Sequence, residues 1–108
     1  MNIPAFILVI VFYASVSAFG LYLIKDAPTL LSSRAFVGAV FYGSGFCIWI
    51  AILRAFPLSI AFPVAAGSLI VATHFIGRFY LAEATSLAQV FGIGMILIGI
   101  FLVIFRTQ

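Results

Sequence analysis

Charged residues punctuate the chain into four uncharged, apolar runs. The first extends from Ile3 to Ile24 and is stopped by Lys25 and Asp26, with Pro28 just beyond. The second, Ala35–Leu53, lies between Arg34 and Arg54. The third, Ala55–Gly77, ends at Arg78, and the fourth, Ala84–Phe105, ends at Arg106. A helix of roughly 20 residues, at 1.5 Å rise per residue, crosses a hydrocarbon core of about 30 Å. Lipid offers no partner to open backbone groups, so each run is predicted as a helix. The expected spans are about 3–24, 35–53, 57–80 and 85–105, within a single domain covering 1–108. Pro57 suits the first turn of the third helix, and Thr85 or Ser86 the N-cap of the fourth. Connections this short make successive helices antiparallel neighbours. An even number of spans brings the start of the first helix and the end of the last to one side. The expected fold is thus an all-α membrane protein of four transmembrane helices.

Composition strengthens that reading. The 108 residues are 67% hydrophobic and 6% charged, with a mean hydropathy of +1.41. A soluble domain of this size needs a large polar shell, which five basic and two acidic side chains do not supply. Membrane lipid is therefore the expected surrounding partner. The basic residues stand singly between apolar runs and form no basic face, so no nucleic-acid partner is expected. Cys47 is the single cysteine. It permits no intrachain disulfide and no metal cluster, and its apolar setting predicts a buried packing role. The N-terminal run lacks a basic leader and is long for a signal sequence, so it reads as a retained helix.

Charge says little about orientation. Arg54 and Arg106 fall on the side of the termini, and Lys25, Arg34 and Arg78 on the other. Two cations against three is a weak bias under the positive-inside rule, and such a balance suits an antiparallel dimer. The two acids, Asp26 and Glu83, lie in different loops and read as belonging to opposite surfaces. With no metal cluster, nucleotide loop or nucleophile–base motif, neither catalysis nor a cofactor is expected.

Four groups of residues are candidates for function. Gly92 and Gly99, seven apart on the fourth helix, share a face on which helix backbones can approach closely. They read either as a dimer seam or as packing within one subunit. Pro63 interrupts the third helix, as a tolerated kink or as a hinge beside a cavity. His74 and Arg78, four apart, share a face. Arg78 reads as a headgroup anchor or as a phosphate ligand. His74 is the one intramembrane side chain suited to carry a proton near neutral pH. Tyr13, Ser15, Ser17 and Gly20 on the first helix, and Tyr42, Gly43, Ser44 and Gly45 on the second, offer mild polarity. Most such hydroxyls bond their own helix, yet together with aromatics they suit an amphipathic ligand.

These details, taken in order, resemble the small multidrug resistance family and, more broadly, the drug/metabolite transporter superfamily. Ser17-Ala-Phe-Gly20-Leu-Tyr-Leu-Ile-Lys25 is similar to the family's Glu-x-x-Gly-x4-Lys, and Tyr42 stands where its drug pumps carry a cavity tyrosine. Pro57-Leu-Ser-Ile60-Ala61-Phe62 is similar to Pro-x-Gly-Ile-Ala-Tyr, and Gly92 and Gly99 match the family's dimer glycines. Two departures stand out. Ser17 replaces the glutamate that binds protons or a cationic drug, and Ala65 replaces a cavity tryptophan. In character the chain is closest to the subunits that flip aminoarabinose-linked undecaprenyl phosphate. They also keep Ser-x-x-Gly-x4-Lys, carry Ala-Tyr-Pro where this chain has Ala61-Phe62-Pro63, and bear an acid near the place of Glu83.

The resemblance implies a transporter subunit of the bacterial inner membrane, paired with itself or with a paralogous subunit. It would move a polyprenyl-phosphate-linked sugar or similar anionic lipid. Ser17, Tyr42, Ser44, Phe62, Pro63, His74 and Arg78 are the expected substrate-binding residues. Arg78, with Lys25 or Arg34, would meet the phosphate. Two other readings stay open: a small multidrug exporter with altered proton coupling, and a non-transporting subunit that stabilises a membrane partner.

Overall fold

The computed structural model describes residues 2–106, and of Arg106 only the backbone. Four helices make up the fold: α1 Ile3–Asp26, α2 Ser33–Ala55, α3 Leu58–Phe79 and α4 Leu87–Arg106. All four are long and apolar enough to cross a membrane, and no strand occurs among the described residues. Lys25 and Asp26 continue α1, and Arg54 continues α2, beyond the uncharged runs. Long basic side chains at helix ends reach water while their stems stay in lipid. Lys25, Arg54 and Arg78 each lie in a last turn, where a positive charge complements the helix dipole.

Local chemistry sets the helix starts. Asn2 caps α1 by accepting from the Ala5 N–H at 3.2 Å, and Ser32 caps α2 by accepting from Ala35 at 3.2 Å. Pro57 stands one residue outside α3, at its N-cap, and its carbonyl accepts from Ile60 and Ala61. For α4 the cap is Ser86. Its hydroxyl accepts from the Gln89 N–H at 3.1 Å, while Gln89 Oε1 accepts from the Ser86 N–H at 3.0 Å. This reciprocal box satisfies two otherwise orphaned donors.

The end of α3 is closed differently. The Tyr80 and Leu81 N–H groups both donate to the Ile76 carbonyl, and the Glu83 N–H donates to the Gly77 carbonyl at 2.9 Å. Ala82, at φ 55°, makes the reversal. The chain therefore folds Glu83 back over the last turn of α3. Glu83 and Lys25 line one cavity, which corrects the expectation that Asp26 and Glu83 lie at opposite surfaces. Asp26 ends α1 and Glu83 follows α3, so both sit at the loop end of the bundle, away from the start of α1 and the end of α4.

Glycines bring α1 against α2. A Cβ at Gly20 would stand 2.6 Å from the Tyr42 backbone nitrogen and 2.7 Å from the Gly38 carbonyl, and one at Gly38 would stand 2.8 Å from the Gly20 carbonyl. The two backbones touch, as small residues permit in membrane helices. At Gly67 of α3 the missing side chain instead makes room for the Ile96 and Ile100 side chains of α4. Phe6, Ile10, Ile52, Ile60, Ala61, Val64, Ala65 and Ile104 form the core cluster, and Phe6 meets the ring of Phe56 edge-on at 4.8 Å. These residues come from the terminal end of the bundle. That end is packed solid, and the cavities lie toward the other.

Cys47 is exposed rather than buried. The inward positions of α2 include Gly38, Gly45 and Ile52, a repeat of seven. Cys47, two residues past Gly45, is turned by about 200° to the outer face.

Candidate functional site

Ser17 is the buried polar side chain among the described residues, 1% exposed. Its hydroxyl lies directly against Gly45, whose missing side chain leaves it room. Tyr13, one turn earlier on α1, shares a hydrogen bond with it. Tyr13, Ser17, Tyr42, Phe46 and Trp49 line a cavity of about 80 Å³, enough for two or so waters at roughly 30 Å³ each and too small for a sugar.

A larger cavity of about 400 Å³ adjoins it between α1, α2 and α3, sharing Tyr13 and Trp49 and adding Phe62, Ala65, Leu69 and Thr73. The Trp49 ring stands 6.1 Å from Tyr13 and 5.9 Å from Phe62. Beside Ala65, then, an indole wall is supplied after all, from α2 instead of α3.

Two further cavities lie toward the loop end. One of about 500 Å³ includes Leu21, Lys25, Thr73, Gly77 and Glu83. The other, about 360 Å³, includes Thr73, His74, Arg78, Glu83, Thr85 and Gln89. Thr73 borders all three of the larger spaces. Its hydroxyl donates to the Leu69 and Ile70 carbonyls, at 2.8 and 3.0 Å. Aromatic and apolar side chains line the space deep in the bundle, and charged side chains line the two at its mouth.

At that mouth the charges are unevenly used. Arg34 is 3.0 Å from Asp26 and lies over the Tyr22 ring at 5.6 Å. Arg34 and Asp26 thus pair with one another at the surface, each side chain 43% exposed. Arg78 has no ion pair among the described residues and rests 5.6 Å from the centre of the Phe79 ring. Glu83 lies between the Lys25 cavity and the Arg78 cavity and lines both. Among the described residues no three His, Cys, Asp or Glu side chains come close enough to hold a metal.

The structure thus brings Ser17 and Tyr42 together, sets Phe62 in the adjoining cavity, and places His74 with Arg78 at the mouth. Ser44 is exposed and donates to the Val40 carbonyl at 2.8 Å. Pro63 is also exposed. Neither lines the four cavities described. A Cβ at Gly92, Gly94 or Gly99 would meet nothing within 4 Å. Trp49 and Thr73 line cavities though the sequence did not name them as binding residues, and Glu83, noted there only as an acid in common with the resembled subunits, lines two. Trp49 was within reach, because it falls seven residues after Tyr42 and a spacing of seven returns to the same helical face.

The four long apolar helices are those of a small multi-pass membrane protein. No family model matches the chain, and no solved structure matches it. It is similar to a protein of Hamiltonella defensa subsp. Acyrthosiphon pisum (strain 5AT) named "Probable 4-amino-4-deoxy-L-arabinose-phosphoundecaprenol flippase subunit ArnE". The two are 33% identical over 66 residues, which is 61% of this chain and 59% of that protein. The match thus spans about three-fifths of that relative's length.

Proposed function

We propose that the chain is a transporter subunit that moves a polyprenyl-phosphate-linked sugar, or a similar anionic amphipathic lipid, across the bacterial inner membrane. The observation that carries this reading is the set of neighbouring cavities, all bordered by Thr73, that runs from Trp49 toward Lys25 and Arg78. The likeness to a flippase subunit supports it. The polyprenyl tail stays in lipid while the headgroup enters at the mouth. There Arg78 offers a planar, bidentate fork to phosphate, and Lys25 a second cation. The sugar ring then lies against Tyr13, Trp49 and Phe62. A second subunit, identical or paralogous, closes the open side, and the bare face of α4 around Gly92 and Gly99 is the seam.

Export of a cationic drug is the weaker reading. A cation inside lipid needs a countercharge, and the apolar spans carry Ser17 where such pumps have an acid. The deciding experiment reconstitutes the purified chain in vesicles with the lipid-linked aminopentose on one leaflet. Exchange between leaflets should exceed that of protein-free vesicles. No acceleration, either alone or with a paralogous subunit added, would overturn the proposal. Proton-coupled efflux of a quaternary cation would favour the drug exporter.

A further inference from the structure

Among the described residues, the titratable and charged side chains that line the cavity of about 360 Å³ are His74 and Arg78 from α3, and Glu83 from the turn that follows. From α4 come Gln89 and Ile93, neither of which titrates. Lys25 of α1 lines the neighbouring cavity and not this one.

His74 is partly buried and stands one turn before Arg78 on the same face of α3. Its ring meets that of Phe75 edge-on at 5.9 Å. The polar groups around it are turned elsewhere. Thr73 donates its hydroxyl to the Leu69 and Ile70 carbonyls of its own helix, and Gln89 Oε1 accepts from the Ser86 N–H. Among the described residues His74 makes no hydrogen bond and no ion pair. Its ring nitrogens are left to whatever enters the cavity.

Within this cavity the formal charges of Arg78 and Glu83 cancel. A phosphodiester headgroup that enters brings one further negative charge. No cation is left over to match it unless the imidazole takes a proton. Histidine is the side chain that ordinarily changes charge between about pH 5 and about pH 8. An anion beside an imidazole favours the imidazolium, and by linkage the imidazolium favours the anion by the same factor.

We infer that His74 is a proton-binding site that loads together with the phosphate of the headgroup. The inference rests on the anionic-lipid reading and deepens it, by giving the headgroup site a control. The attraction is present at low pH, where the ring is charged, and is lost as pH rises. The proton comes from water at the mouth and returns to it when the headgroup leaves, so alkaline conditions release the lipid. A cationic ligand in the same cavity would instead expel the proton.

The test uses the full chain in phosphatidylcholine nanodiscs. The probe is undecaprenyl phosphoglucose, a phosphodiester with one fixed negative charge and no amine. Neither probe nor disc lipid titrates near neutral pH, so any pH dependence belongs to the protein. The wild-type chain should bind the probe about fivefold to tenfold more tightly at about pH 6 than at about pH 8, the effect of one nearby opposite charge. Binding should also take up protons, read by calorimetry in two buffers of different ionisation heat. His74→Gln should bind at the weaker level and lose the pH dependence. His74→Lys, charged throughout, should bind equally at both pH values and more tightly than His74→Gln.

A pH dependence that survives His74→Gln overturns the inference, as does proton release on binding. Strong wild-type binding that is equal at both pH values also overturns it, because Lys25 or Arg78 then suffices, and leaves the transport proposal intact. If His74→Gln binds nothing, His74→Lys decides. Binding without pH dependence upholds the inference, and failure to bind makes the role structural and overturns it. Absence of wild-type binding at every pH ends both readings. Bulk phospholipid presents the same phosphodiester, so the measurement is repeated with phosphatidylglycerol in the discs. An unchanged pH dependence supports a site for the lipid-linked headgroup, and its disappearance assigns His74 to bulk lipid and overturns the inference.

Discussion

The Ser17 hydroxyl occupies the space that a side chain on Gly45 would take, so α1 and α2 meet there through a serine and a missing Cβ. The two positions are one packing unit. Gly45→Ala forces the hydroxyl out of place and should destabilise the protein by about 1–3 kcal/mol, as overpacking does. Ser17→Ala in the same chain should recover a good part of that loss. The check is a double-mutant cycle by thermal unfolding in mild detergent. Costs that simply add would show the two residues to be independent.

Ala82 carries a left-handed φ of 55°, a conformation that costs roughly 1–2 kcal/mol for a residue with a Cβ. Ala82→Gly should therefore raise stability by about 1 kcal/mol, read as a higher unfolding midpoint, once the greater freedom of glycine in the unfolded chain is set against the relief. A lower midpoint would contradict the turn geometry at the end of α3.

Trp49 stands between the small cavity beside Ser17 and the larger one beside Ala65. Trp49→Ala should merge the two and remove the stacking wall, lowering translocation of the lipid-linked sugar about tenfold. Trp49→Phe keeps a flat ring and should retain much of the rate. If the alanine variant transports like the wild type, Trp49 is no part of the binding surface.

At Gly99 the surrounding space is open within one chain. Gly99→Leu should accordingly leave the monomer's stability within about 0.5 kcal/mol, the range of surface substitutions, yet dissociate a dimer joined along that face. Mass measurement in mild detergent reads the outcome. An unchanged oligomer would remove Gly92 and Gly99 from the seam.

Arg78 separates two roles by a single conservative exchange. Lysine supplies the positive head and long stem of an anchor but not the bidentate fork. Arg78→Lys should weaken binding of the lipid-linked sugar about tenfold while expression, insertion and assembly persist. A fully active lysine variant would make Arg78 an anchor, and Arg78→Ala would then alter stability or topology instead.

The four helices were legible because charges are rare and stand only at their ends. Which way each helix faces was not, and the reason is physical. Bundle interior and lipid are both apolar, so hydrophobic periodicity carries little information about facing. Cys47 and Ser44 looked as inward as Trp49, yet Cys47 and Ser44 are exposed and Trp49 lines the cavity. Glycine spacing was equally blind. Gly38 and Gly45 are seven apart, like Gly92 and Gly99, but the first pair faces α1 and the second faces open space. The placement of Glu83 beside Lys25 follows from counting helices. Its fold back onto Gly77 depends on a turn at Ala82 that carries no glycine to announce it.

The start of α1 and the end of α4 lie on one side of the bundle, where Phe6 and Ile104 share the core cluster. Joining two copies head to tail through a soluble linker would force both to point the same way. Inserting one extra membrane-crossing helix into that linker would force them to oppose. Covalent tandems of the two kinds thus hold the relative direction of a pair constant while everything else stays the same. Whichever tandem transports reports the direction that the separate chains adopt when free to choose.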